Sequence, residues 1–126
     1  DSMRVYKTKW FTKWARKEGL EDTALVRAVA EMNNGLVDAD LGGHMYKKRA
    51  AIPGQGKRGS LRTLLAFKVD DKAFFLYGFA KNQRENVSDK ELKALKLLAQ
   101  NLLGYGARAL KKAVRAGDLY EVESDE

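Results

Sequence analysis

The chain has 126 residues, no cysteine, one histidine and a net charge of +7. This length predicts a single domain spanning residues 1–126, and the composition excludes a disulfide scaffold, thiolate metal sites and a cysteine nucleophile. No apolar run approaches the roughly 20 residues that a membrane helix needs, and no secretory signal is recognisable. We therefore expect a cytoplasmic protein.

The positive charge is concentrated in the middle of the chain. Residues 41–90 hold eleven basic and four acidic side chains, whereas the segments on either side are each balanced. A confined excess favours a binding surface for a polyanion, most simply nucleic acid, over a solvated basic face. The scarcity of carboxylates in this segment argues against two-metal phosphoryl chemistry, which needs clustered Asp or Glu. We expect neither a metal nor a cofactor.

The N-terminal part of the chain predicts a strand followed by a short helix. Residues 4–7 favour the strand, and Trp10, Phe11 and Trp14 follow at helical spacing before a stop at Gly19. The three aromatic side chains lie among lysines and arginines. They serve either to anchor a core or to stack on bases, and core anchoring is the favoured interpretation.

A second helix is expected over residues 21–34. Asp22 and Thr23 are its candidate caps, and its apolar stripe extends to Leu36. Residues 38–43 are polar and contain glycine, which predicts a turn.

The middle of the chain predicts an antiparallel sheet, because three segments of strand character are separated by a loop and a tight turn. The expected strands are 45–52, 61–69 and 73–80, and the loop is 53–60. The loop contains a G-x-G-x-x-G match at residues 54–59. Because a strand follows it rather than a helix, a basic loop that approaches phosphate is favoured over a dinucleotide site.

Basic side chains from these strands are expected to converge on one face of the sheet. Alternation puts Lys47 and Arg49 on one face and Lys48 on the other. Pairing of the last two strands around a turn at residues 70–72 puts Arg62 near position 80 or 81, beside Lys81.

The C-terminal part of the chain predicts two helices. Ser88 and Glu91 form a capping box for the first, which ends at Gly104. A second short helix covers 107–116, and residues 118–126 are expected to be a flexible acidic tail. The element order predicts an α+β fold, with a small antiparallel sheet flanked by N-terminal and C-terminal helices.

Four segments together resemble the RelE/HigB superfamily of bacterial toxins, and the HigB-like branch in particular. They are Lys47-Lys48-Arg49-Ala50, Pro53-Gly54-Gln55-Gly56-Lys57, the run from Arg62 to Phe67, and the run from Phe74 to Asn82. The resemblance implies a RelE-like fold and the toxin role in a type II toxin–antitoxin system. It also implies ribosome-dependent cleavage of mRNA without a metal, and a cognate antitoxin that is often a helix-turn-helix protein.

The resemblance also implies roles for individual residues. The expected catalytic residues are Arg62, Lys81 and Asn82. The expected contacts to RNA or the ribosome from the resemblance are Lys47, Arg49 and Lys57. Arg58 and Arg84 are added to these contacts for their positive charge, and Arg58 departs from the family, in which a small or polar residue is expected. Relatives commonly have Glu where this chain has Gln83, and their C-terminal tyrosine has three candidate counterparts, which are Tyr77, Tyr105 and Tyr120.

Three other functions fit the same charge pattern. One is a nucleic-acid or ribosome-binding module without chemistry. Another is a ParE-like inhibitor of a DNA topoisomerase, which has the same fold. The last is an inactive remnant whose basic face is only solvated.

Overall fold

The structure is a computed structural model that describes residues 3–52, 54 and 61–122. Within these residues the chain forms six strands and four helices, which confirms the α+β prediction. In chain order they are β1 (Arg4–Thr8), α1 (Lys9–Glu18), α2 (Asp22–Asn33), β2 (Ala39–Gly42), β3 (Met45–Ala50), β4 (Leu61–Lys68), β5 (Lys72–Ala80), α3 (Asp89–Leu103), α4 (Ala107–Ala116) and β6 (Leu119–Val122).

The strands form one sheet in the order β2-β3-β4-β5-β1-β6. β1 runs parallel to β5, and the other neighbouring strands are antiparallel. None of the helices in the described part of the chain has the length and apolar character that crossing a bilayer requires.

Both faces of the sheet are covered by helices. On the α1/α2 face, side chains such as Phe11 and Leu25 pack against Leu65 and Phe75 of the central strands. On the α3/α4 face, Leu102 and Leu110 belong to a second core with residues of the same two strands. β4 and β5 are therefore buried on both sides, which explains their nearly continuous apolar sequences.

The two edge strands of the sheet, β2 and β6, lie in segments where the sequence predicts no strand. Residues 38–43, which the sequence predicts to form a turn, contain β2, and this strand pairs with β3. The chain reverses between the two strands at Gly43 and His44, both of which have positive φ. Residues 119–122 form β6 rather than a flexible tail, because Leu119 and Val122 are buried, one in each core. Residues 123–126 lie outside the described residues.

Two of the four helices, α1 and α3, begin at a side-chain cap, whereas α2 and α4 do not. α1 begins at the Thr8 cap and ends at Gly19, whose φ is +78°. The predicted cap of α2 is wrong, because Glu21 precedes this helix without a side-chain cap and Asp22 instead accepts a hydrogen bond from Lys7 Nζ at 2.7 Å. The apolar stripe of α2 also stops before Leu36, which is 59% exposed beyond the end of the helix.

The β4–β5 hairpin has a different register from the predicted one. Its turn is Val69–Asp71, with Asp70 at φ +56°, so Lys68 already pairs with Lys72. An extra residue in β5 at Leu76 then shifts the pairing by one. As a result Arg62 lies opposite Phe79, not opposite position 80 or 81.

Gly78 on β5 lies against the side chain of Trp14 in α1. A Cβ at this position would overlap the six-membered ring of Trp14. That ring also contacts Phe11, with ring centroids 5.3 Å apart, so it has little room to move.

We expect Gly78→Ala to destabilise the protein by about 1–3 kcal/mol, the usual cost of overpacking a core. Urea unfolding measures the change. Gly104→Ala is the matched control, because a Cβ there meets only ordinary contacts at 3.5 Å and beyond. Equal stabilities for the two variants would contradict the packing of Trp14 on Gly78.

Candidate functional site

The alternation along β3 separates three consecutive basic residues. Lys48 lies on the α1/α2 face, where its Nζ is 2.8 Å from Glu31 Oε1 and 3.0 Å from the carbonyl oxygen of Leu36. Its side chain is only 8% exposed. Lys48 thus ties α2 to the sheet, whereas Lys47 and Arg49 lie on the α3/α4 face, as the alternation predicts.

Arg49 and Arg62 lie directly opposite each other on neighbouring strands. Arg49 is exposed and Arg62 is half-buried, and among the described residues neither guanidinium forms a salt bridge. The backbone of Arg49 is held by Asp38, whose carboxylate accepts its N–H. Like charges in directly opposite positions destabilise a sheet, so an anionic ligand would relieve this arrangement.

Aromatic side chains continue the same row across the sheet. Phe79 lies opposite Arg62, and the guanidinium carbon of Arg84 lies 6.0 Å from the centre of its ring. The extra residue in β5 puts both Leu76 and Tyr77 on the α3/α4 face. Arg84 Nη1 donates to the hydroxyl of Tyr77 at 3.3 Å.

Arg84 is held by the first turn of α3. Its Nη2 donates to Glu91 Oε1 at 2.6 Å and its Nη1 to Glu91 Oε2 at 3.2 Å, while Nε donates to the carbonyl of Asn86 at 2.9 Å. With the bond to Tyr77, four of its five N–H groups have partners inside the protein. Arg84 therefore shapes the rim of the site, and its charge is balanced by a carboxylate.

Glu91 has two roles at once. Its carboxylate accepts from Arg84 and from the backbone N–H of Ser88, and its own N–H donates to the Ser88 hydroxyl, so the predicted capping box is confirmed. The hydrogen bond from Arg84 is the largest cause that lowers the pKa of Glu91 from 4.5 to about 2, and the contacts with Ser88 add to it. The same bond raises the pKa of Arg84.

The remaining predicted site residues surround this row. Lys47 is half-buried on β3, two residues before Arg49 and opposite Leu64. Lys81 and Asn82 are exposed in the turn after β5. Lys57 and Arg58 lie outside the described residues.

Comparison with known protein families agrees with this architecture. A family described as the RelE toxin of the RelE/RelB toxin–antitoxin system matches residues 3–122, which is nearly the whole chain. The chain belongs to the RelE toxin family. It is therefore a toxin of a toxin–antitoxin system, and the family implies a cognate antitoxin and, in general, mRNA and ribosome targets. None of the curated proteins matches the chain significantly.

Of the three candidate tyrosines of the toxin, one lies at the basic row. Tyr77 is in β5, with its hydroxyl bound by Arg84. Tyr105 follows α3, and its carbonyl accepts from Lys72 Nζ at 3.2 Å near the other end of the hairpin. Tyr120 lies in β6 opposite Lys7.

Two residues of the candidate site carried no signal of that role in the sequence. Phe79 is part of an apolar run, and Glu91 is already explained as a capping residue. The seven-residue spacing from Arg84 to Glu91 crosses a turn and a helix start, so no periodicity connects them. The described residues contain no group of three or more His, Cys, Asp or Glu side chains arranged to hold a metal ion.

We expect Glu91→Gln to lower the thermal stability of the toxin at pH 7. Glutamine still suits the capping box, so the loss isolates the ion pair with Arg84. Because the pKa of Glu91 is lowered to about 2 in the folded protein, its stabilising effect is present above pH about 4.5 and is lost as the pH falls through about 2.

The measurement is the melting temperature of both proteins between pH 7 and pH 2. The difference between them should shrink steadily below pH about 4.5. Glu85→Gln, which removes the same charge from an exposed residue of the neighbouring turn, is the control. A difference that does not change with pH would contradict the ion pair.

Proposed function

We propose that the protein is a metal-independent, ribosome-dependent endoribonuclease that cleaves mRNA and so inhibits translation. The observation that carries the proposal is the pair of opposed arginines, Arg49 and Arg62, without a salt-bridge partner among the described residues. Proteins tolerate such an unfavourable arrangement mainly at functional sites. Membership of the RelE family supports mRNA as the polyanion.

The proposed reaction uses the 2′-hydroxyl of the RNA as its nucleophile. It needs a base for that hydroxyl, cations that stabilise the charge developing on the phosphate, and an acid for the 5′-oxygen. All three can come from side chains, so no cofactor is required.

Arg62 is the proposed stabiliser of the phosphate charge. A guanidinium stays protonated and binds two phosphate oxygens at once. Its half-buried position between Arg49 and Phe79 restricts its motion, which favours preorganised catalysis. Arg49 and Lys47 would hold the adjoining RNA backbone, as would Lys57 and Arg58, which the sequence predicts to lie in a loop.

Lys81 is the proposed acid or base, and Asn82 would orient the phosphate. Both follow the strand that carries Phe79, and their exposure leaves them accessible to RNA. Tyr77 is a second candidate for proton transfer, because Arg84 fixes its hydroxyl on the same face.

The proposed partner is an antitoxin of the helix-turn-helix type, and within the family we favour the HigB-like branch. The basic motif on β3 and the Lys-Asn pair after β5 support that branch. Acidic residues of an antitoxin would match the net charge of +7.

We expect Arg62→Ala to lower the single-turnover cleavage rate by about 100-fold or more, as removal of other preorganised charge stabilisers does. The assay is primer extension on a defined mRNA with and without programmed ribosomes. Lys68→Ala is the control, because it removes a cation from the opposite end of the same strand. Full cleavage by both Arg62→Ala and Lys81→Ala would disprove the catalytic assignment.

Arg49→Ala should weaken RNA binding. It should have a much smaller effect on the rate at which bound mRNA is cleaved. Loss of one phosphate contact should reduce the slope of log K against log salt by about one. Titrations at several salt concentrations measure this slope, and an unchanged slope would remove Arg49 from the interface.

The cleavage and binding assays, together with an assay of DNA topoisomerase inhibition, separate the alternative functions. Intact mRNA with tight RNA or ribosome binding indicates a binding module without chemistry. Intact mRNA with inhibition of a DNA topoisomerase indicates the ParE-like activity.

A further inference from the structure

Trp10, in the first turn of α1, exposes a large aromatic surface. Its side chain is 46% exposed, although tryptophan is usually largely buried. The core-anchoring interpretation holds for Phe11, which is completely buried, and for Trp14, which packs against Gly78. Trp10 is different, and its exposed surface needs another explanation.

The ring of Trp10 is held in a fixed orientation. It stacks on Tyr77, with centroids 4.5 Å apart and planes 18° apart, and it lies nearly parallel to Trp14 at 6.1 Å. The start of the helix is anchored as well, because Thr8 caps α1 and its hydroxyl also donates to the carbonyl of Leu76 at 3.4 Å. A ring that is already ordered loses little conformational entropy when a ligand stacks on it.

The stack is continuous with the basic row of the proposed RNA site. Tyr77 binds Arg84, Arg84 lies over Phe79, and Phe79 is opposite Arg62. Cationic and aromatic side chains therefore alternate from Arg62 to Tyr77, and Trp10 adds a second ring at the end of the row. Proteins that bind single-stranded nucleic acid combine these two kinds of side chain, cations for the backbone and aromatic rings for the bases.

The charge around Trp10 also matches a nucleic acid. Lys9 and Lys13 are exposed beside it on α1, and the first turn of this helix contains no acidic residue. Acidic side chains are the ones that stabilise a helix N-terminus, whereas cations there are unfavourable. An acidic ligand would compensate for this charge.

We propose that Trp10 is a stacking site for a nucleobase of single-stranded RNA, next to the phosphate site at Arg49 and Arg62. This inference rests on the proposed function for the identity of the ligand. It extends the site from β3 and β4 across β5 to α1. Trp10 is a binding residue for a base that flanks the cleaved phosphate.

The test compares a fluorescently labelled oligouridylate with an abasic oligonucleotide of the same length, which keeps the phosphates and lacks the bases. Trp10→Ala should weaken binding of the oligouridylate by about 5- to 150-fold, the range found for single base–aromatic stacks. Binding of the abasic strand and the salt slope should be unchanged. Trp10→Phe should retain most of the affinity, because it keeps a ring.

Val69→Ala is the matched control, since Val69 is an exposed apolar residue in the turn at the other end of the hairpin. Tryptophan fluorescence gives a second readout. Oligouridylate should quench the emission of the wild-type protein and have little effect on Trp10→Phe.

Three results would overturn the stacking site. They are equal oligouridylate affinity for wild type and Trp10→Ala, equal losses on the normal and abasic strands, and no binding of oligouridylate by the wild type. If ribosome-dependent cleavage persists in any of these cases, the stacking site alone fails. If the wild type neither binds RNA nor cleaves mRNA, the proposed function fails as well.

Discussion

The pairing of β4 with β5 is the interaction on which the rest of the structure depends. These strands supply side chains to the cores on both faces of the sheet, so their register decides which residues are buried and which remain at the surface. The turn at Val69–Asp71 and the extra residue at Leu76 place Arg62 opposite Phe79. A shift by one residue would exchange the faces of a whole strand, and Phe79 would no longer lie opposite Arg62.

The two faces of β3 show how one basic segment serves both stability and function. Lys48 is buried and paired with the partly exposed Glu31, and removing Glu31 would leave a buried charge without its counter-ion, which is costly. Its neighbour Arg49 faces another cation across the ladder. The charge of Lys48 thus stabilises the fold, whereas the charge of Arg49 remains available to a ligand. The net charge of the chain does not distinguish these two roles.

Arg84 and Trp10 depend on contacts between elements that are distant in the chain. Arg84 joins the turn after β5 to the first turn of α3 through Glu91, and its hydrogen bond to Tyr77 links that turn to the sheet. Trp10 reaches the same site from α1, because β1 ends beside Leu76 and leaves Tyr77 accessible for stacking. The proposed interface is therefore assembled from three separate parts of the chain.

The sequence by itself determined the α+β class, the capping box of α3, and the faces of β3 on which Lys47, Lys48 and Arg49 lie. Strand alternation and helix capping act over a few neighbouring residues, so a local pattern is enough to predict them. It missed β2 and β6, since short edge strands are stabilised by their partners and have little signal of their own. The partner of Arg62, the ion pair of Arg84 and the stack at Trp10 were decided only by the tertiary structure. Each depends on a turn, an extra residue or a helix position that no local pattern encodes.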